Sequence, residues 1–174
     1  GDGVTDTRTE ECDDGNAEEF DACGINCRYN ILIDSGEHFS CVSTGCDVVC
    51  WGKYYDDNRV GGADNIAWKE VSQLSLGSEH GCALDGSGVR CWGENGAEQT
   101  LGSTTVGPTT LSGVVQLSAG DQHTCAVDAR GISCWGNDGS DRTTPSVTTD
   151  RAIQVSAGAD HTCAIYERPV GTRY

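Results

Sequence analysis

The chain has 174 residues, room for one ordinary domain or one domain with a small cap. Its 11 Cys exclude a protein matured among cytosolic reductants, and a formal charge of -16 disfavours phosphate backbones as partners. No apolar run approaches the roughly 20 residues that span a bilayer.

Residues 1–33 form an acidic, cysteine-rich module. It contains Glu10-Glu11-Cys12-Asp13-Asp14-Gly15-Asn16, then Asp21-Ala22-Cys23 and Cys27. A module this short cannot bury a core and depends on staples. Asp13, Asp14, Asn16 and Asp21, with Asp2 and Asp6, offer hard oxygen donors around Gly15, which suits calcium. The order is not that of an EF-hand. The competing account is Asx-turn bonding to the backbone with the rest solvated. No cofactor is required, and calcium is the candidate ion.

From residue 34 the chain is repetitive, with starts at Gly36, Gly77, Gly120 and Gly158. The full copies read Gly77-Ser78-Glu79-His80-Gly81-Cys82-Ala83-Leu84-Asp85 and Gly120-Asp121-Gln122-His123-Thr124-Cys125-Ala126-Val127-Asp128. The first copy carries Phe39 in the His position. The last reads Gly158-Ala159-Asp160-His161-Thr162-Cys163-Ala164-Ile165 and has Thr172 where a second Cys is due. A period of about 40 residues belongs to propeller blades, not to heptads or short solenoids. Before the last three starts lie alternating stretches at 71–76, 114–119 and 152–157, which read as half-buried strands. No amphipathic helix is evident.

Each of the first three copies then reaches Cys-Trp-Gly, at Cys50-Trp51-Gly52, Cys91-Trp92-Gly93 and Cys134-Trp135-Gly136. Placing Cys125 opposite Cys134 in a hairpin sets Ala126 against Ser133, Val127 against Ile132 and Asp128 against Gly131. The tip is then Ala129-Arg130. The same arithmetic puts Gly86-Ser87 and Gly45-Cys46 at the other tips. Gly at the first central position suits a type II′ turn. Ala129 does not, so a wider loop using Gly131 is expected there. Opposed residues in a non-hydrogen-bonded pair lie close enough to bridge. The expected disulfides are Cys41–Cys50, Cys82–Cys91 and Cys125–Cys134. Zinc ligands sit closer in sequence, which argues against a metal. Each adjacent Trp faces the opposite side of its strand and is expected to pack between sheets.

Gly-x-x-His-x-Cys-Ala-Leu, Asp-x-Gly and Val-x-Cys-Trp-Gly-x-Asn together resemble the regulator of chromosome condensation repeat, in its cysteine-bearing secreted bacterial form. The resemblance covers residues 36–174. It implies a β-propeller, in that family roughly seven blades of four antiparallel strands. Three complete copies and a shortened fourth do not close such a ring. The expectation is a longer protein, several chains completing one another, or an open ring. The N-terminal segment around Glu11-Cys12-Asp13-Asp14-Gly15-Asn16 is similar to the Myxococcus cysteine-rich repeat. That resemblance implies a further Cys just before Gly1.

Five Cys remain: Cys12, Cys23, Cys27, Cys46 and Cys163. Cys12 with Cys23 or Cys27, and Cys46 with the third, are the candidate pairs. Cys163 is either free or bridged to another chain. His80, His123 and His161 recur at one repeat position. They make either the same structural hydrogen bond in every blade or a shared metal site near an axis. No nucleophile elbow, zincin or phosphate-loop motif appears, so an enzyme is not expected.

The sequence therefore points to an all-β protein: propeller-type repeats over 34–174, partial or open, after a disulfide-stapled module over 1–33. Its expected role is a non-catalytic, secreted or cell-surface repeat protein for binding or assembly, such as a fibre or adhesin subunit. Its expected partners are a protein or surface ligand, or copies of itself, with no nucleic acid and no membrane span. The alternative is the accessory propeller of a secreted enzyme, or part of a longer secreted protein with catalysis elsewhere.

Overall fold

The computed structural model describes residues 31–45, 47–52, 66, 68–100, 111–137, 139 and 151–167. The candidate calcium set and Cys12, Cys23, Cys27 and Cys46 lie outside the described residues. Every regular element described is a β-strand, and no described helix is long and apolar enough to cross a membrane.

The strands fall into successive antiparallel sheets. The first holds β1 (Leu32–Ser35), β2 (Phe39–Ser43) and β3 (Val48–Gly52). The second holds β4 (Gln73–Leu76), β5 (His80–Asp85) and β6 (Gly88–Gly93). The third holds β7 (Gln116–Ala119), β8 (His123–Asp128) and β9 (Gly131–Gly136). The fourth pairs β10 (Arg151–Ala157) with β11 (Thr162–Glu167). Strands β4 and β7 begin at Gln73 and Gln116, two residues into the alternating stretches. Val71 before β4 is buried in the core instead. Strand β1, ahead of the degenerate first copy, has no counterpart among the strands read from the sequence.

Hairpin register follows the period-two side-chain rule. Cys41 faces Cys50, Cys82 faces Cys91 and Cys125 faces Cys134. Each pair is a disulfide, with Cα–Cα distances of 4.1, 4.0 and 4.0 Å.

The tips correct one expectation. Gly86 does not take the positive φ of a type II′ turn; that falls on Gly88 (φ 117°) and on its equivalent Gly131 (φ 122°). Asp85 Oδ1 accepts the Ser87 N–H at 2.7 Å, and Asp128 Oδ1 accepts the Arg130 N–H at 2.8 Å. Asp at the first position and Gly at the fourth is the composition of a type I turn, closed by a left-handed glycine. Ala129-Arg130 is therefore a two-residue tip like Gly86-Ser87, not a wider loop, because Asp128 and Gly131 do the turning. In the first sheet, by contrast, the positive φ does fall on Gly45 (99°).

The carboxylates of those two turns carry a second function. Asp85 also accepts from the Lys69 N–H at 3.1 Å and pairs with Arg90. Asp128 accepts from Arg130 and from Ser133 Oγ, both at 3.0 Å. These buried carboxylates are hydrogen-bonded on both oxygens, which is what permits their burial.

The first strands of successive sheets lie side by side in the order β1, β4, β7, β10. Between neighbouring sheets sits an apolar layer. Sheet one contributes Phe39, Cys41 and Val48 against Leu74, Leu76, Ala83 and Trp92 of sheet two. Cys82 and Val89 then meet Leu117, Ala126 and Trp135. Cys125, Val127 and Cys134 meet Ala152 and Val155. Each of the first three sheets thus has a trailing face, bearing its disulfide, and a leading face, bearing its Trp; sheet four has Cys163 on the trailing face and Val155 on the leading one. Trp68 packs edge-on to Trp92 at 5.5 Å, with Arg90 over its ring at 5.2 Å.

Candidate functional site

The polar groups between the sheets recur at fixed repeat positions. Gln73 Nε2 donates to Leu117 O at 3.0 Å, while Leu117 N donates to Gln73 Oε1 at 2.9 Å. Gln116 makes the same pair of bonds with Val155, at 3.0 and 2.8 Å. A side-chain amide here replaces the backbone amide that a continuous sheet would supply. Two residues on, Ser75 Oγ accepts from Ala119 N and Ser118 Oγ from Ala157 N, each at 2.9 Å. Asp34 Oδ2 takes this part toward Leu76 N at 2.8 Å.

The recurrent histidines belong to the same system. His80 Nε2 lies 2.8 Å from Thr124 Oγ1, and His123 Nε2 lies 2.9 Å from Thr162 Oγ1, in each case on the next sheet. Thr124 Oγ1 donates onward to Gln99 O at 3.4 Å, and Trp135 Nε1 donates to the same carbonyl at 2.9 Å. The tautomer of the His80 ring sets which of the two donates. His80 Nδ1 has no hydrogen-bond partner among the described residues. No group of three or more His, Cys, Asp or Glu among the described residues is arranged to hold a metal ion.

His80 is fully buried, and its pKa is lowered from 6.5 to about 4. Burial is the main cause, the charge of His123 adds to it, and Asp121 opposes it. An unfolded chain takes up this proton below 6.5, whereas the folded one refuses it until about 4. The unfolded state therefore binds more protons in that window, and stability falls as the pH drops through it. The expected loss is about 3 kcal/mol by pH 4. Urea denaturation of the wild type and His80→Gln at pH 7 and pH 4.5 checks this. The wild type is expected to lose the larger share, and equal losses would refute the assignment.

At the two ends of the stack the same positions are open. On the trailing face of sheet four, Gln154, Ser156 and His161 are exposed, as is the Cys163 thiol. Ile165 beside them is 53% exposed. On the leading face of sheet one, Trp51 is 50% exposed, whereas Trp92 and Trp135 at its position are 4% and 3% exposed. Ile33 is 71% exposed where Leu117 is 2%. Val49 is exposed beside them. Monomeric surfaces rarely present such contiguous apolar faces without a use for them.

Sequence reasoning placed the Cys and Trp on these faces but missed the Gln and Ser connectors. An alternating strand suggests solvent for its polar residues. The available signal was the recurrence of Gln73-Leu74-Ser75, Gln116-Leu117-Ser118 and Gln154-Val155-Ser156 at one repeat position. A solvated face has no reason to keep the same amide three times.

Residues 71–99 and 114–141 each match the family model of the regulator of chromosome condensation (RCC1) repeat. Among solved structures, the chain is similar to the CRINKLY WD40 ectodomain of an Arabidopsis thaliana receptor kinase. The identity is 23% and the TM-score 0.56, over 78% of this chain and 45% of that one. It is also similar to the entire ectodomain of a Physcomitrella patens receptor kinase, at 23% identity and TM-score 0.62, over 84% and 40%. A third similarity is to Prp20p of Saccharomyces cerevisiae, at 17% identity and TM-score 0.56, over 75% and 40%. The chain spans less than half the length of each, and what it shares with them is the propeller fold. The sequence has no match among curated proteins.

Proposed function

We propose that this chain is a non-catalytic, extracellular propeller segment that binds proteins or assembles with them. The observation that carries the reading is the pair of open faces, where Trp51 and Ile165 stand exposed at positions buried elsewhere in the stack. Large aromatic and aliphatic side chains on a rigid sheet are the usual anchors of protein recognition. The described polar network joins one sheet to the next, as expected of a scaffold.

Three hairpin disulfides support an oxidising, extracellular setting. The formal charge of -16 favours basic partners over anionic ones. Two neighbours in fold are receptor-kinase ectodomains, and Prp20p is described as binding Gsp1p and histones, which supports a protein as partner. A surface fibre or adhesin subunit is the specific role proposed, with the repeats over 34–174 as its body and the acidic module over 1–33 as a stapled cap.

The test is the redox state of the protein taken from its source. Thiols are blocked with an alkylating reagent before and after reduction, and the peptides are weighed. Cys41–Cys50, Cys82–Cys91 and Cys125–Cys134 are expected to resist alkylation until reduced. Open thiols at these positions in native material would overturn the extracellular reading.

A further inference from the structure

The two open faces are the two halves of one interface. The apolar layers and the strand-to-strand polar bonds between neighbouring sheets join the trailing face of one to the leading face of the next. From sheet two onward the trailing face supplies a Gln amide, a Ser hydroxyl and a His imidazole. The leading face supplies the backbone N–H and C=O of an apolar residue on its first strand, the N–H two residues on, and a Thr hydroxyl. Sheet four has its donors and acceptors in place with nothing described against them: Gln154, Ser156 and His161. Sheet one has the receiving positions: Ile33 where Leu117 and Val155 sit, Ser35 where Ala119 and Ala157 sit, and Ser40 where Thr124 and Thr162 sit.

The apolar residues match in the same way. Ile165 stands at the position of Val127, which is 3% exposed beneath sheet four. Trp51 stands at the position of Trp135, which covers the disulfide of sheet two. Cys163 stands at the position of Cys125, whose Sγ lies 3.6 Å from Thr162 Oγ1 of the next sheet. The glycines agree. A Cβ on Gly36, Gly77 or Gly120 would meet the carbonyl oxygen of the next glycine at 2.1, 2.3 or 2.4 Å. The three atoms nearest a Cβ on Gly158 all belong to its own His161 ring. The fourth sheet is shaped for a neighbour at a place where no described residue stands.

We propose that the trailing face of sheet four in one copy docks on the leading face of sheet one in a second copy, head to tail. The contact continues the interface already built between sheets two and three and between sheets three and four. It rests on the binding-or-assembly reading and names the partner. The described residues of two copies bring together eight sheets, within the roughly four to eight blades that propellers close. The heterologous contact can therefore form twice and close the pair into a ring.

The experiment is sedimentation velocity on the full 174-residue chain over a wide concentration range. A reversible rise to twice the chain mass is expected. Trp51→Glu breaks the leading face and Ile165→Glu the trailing face; both side chains are exposed, so circular dichroism should show both variants folded. Each variant alone is expected to lose self-association by about thirtyfold or more, the usual consequence of losing an interface anchor. Mixed together, the two variants retain one intact pair of faces and are expected to associate with each other.

Alkylation supplies a second readout. Cys163 should react freely in dilute protein and slowly in concentrated protein. A wild-type chain that stays monomeric overturns the proposal, as does an Ile165→Glu variant that still pairs, since that would mean leading face on leading face. A mixture that does not associate overturns it too. Monomeric protein with its hairpin disulfides closed would leave the extracellular binding function standing, so the two failures are distinguishable.

Discussion

Full reduction of the hairpin disulfides is expected to unfold the sheet stack at 25 °C. Each bridge closes a loop of about ten residues, which corresponds to about 2–3 kcal/mol of lost unfolded-state entropy. The three bridges lie in three different sheets and share no partners, so their contributions add to about 6–9 kcal/mol. Whole domains of this size are stable by about 5–15 kcal/mol. The sheets are also thin, and isolated hairpins are marginal in water. Each disulfide further fills the apolar layer against the next sheet, since Cys41, Cys82 and Cys125 are fully buried. The check is urea denaturation followed by Trp fluorescence, with and without a phosphine reductant. The reduced protein should show little or no folded baseline, because Trp92 and Trp135 lose their cover. An unchanged midpoint would mean that packing alone holds the sheets.

Gly120→Ala is expected to cost more than about 3 kcal/mol, at or above the upper end for overpacked sites. An added Cβ would lie 2.4 Å from Gly158 O on the next sheet and 2.4 Å from the His123 ring. The first contact is with backbone, so relief requires sheets three and four to separate. Separation would stretch the Gln116 amide bonds to Val155 and the His123 contact with Thr162. Gly158→Ala is the matched control. The atoms nearest its Cβ are on the ring of His161, which is exposed and free to turn. A loss within about 1 kcal/mol is expected there, as for ordinary surface changes. Paired denaturation curves decide the matter. Equal losses would show that the penalty comes from the local backbone and not from the neighbouring sheet.

The hairpins were legible because their logic is local. Two Cys at an odd separation in an antiparallel pair face each other whatever surrounds them, and Trp51, Trp92 and Trp135 must then face the other way. The tip at Ala129-Arg130 was misjudged for a reason that is also local. The turn rests on the flanking Asp128 and Gly131 and not on its central pair. Gln73 and Gln116 were illegible as connectors, because their partners lie on the next sheet, about forty residues along the chain.

The sequence by itself determined the repeat, the register of the first three hairpins and the pairing of six cysteines. The repeat is visible as recurrence at a fixed period, and the register and pairing follow from side-chain alternation over short separations. Only the tertiary structure decided which equivalent residues are covered. Trp51 and Trp135 occupy the same repeat position and the same hairpin geometry, yet one is half exposed and the other buried. The difference lies in the neighbouring sheet. Burial is a property of what packs against a face, and repeats that are alike in sequence differ in whether a described sheet packs against them.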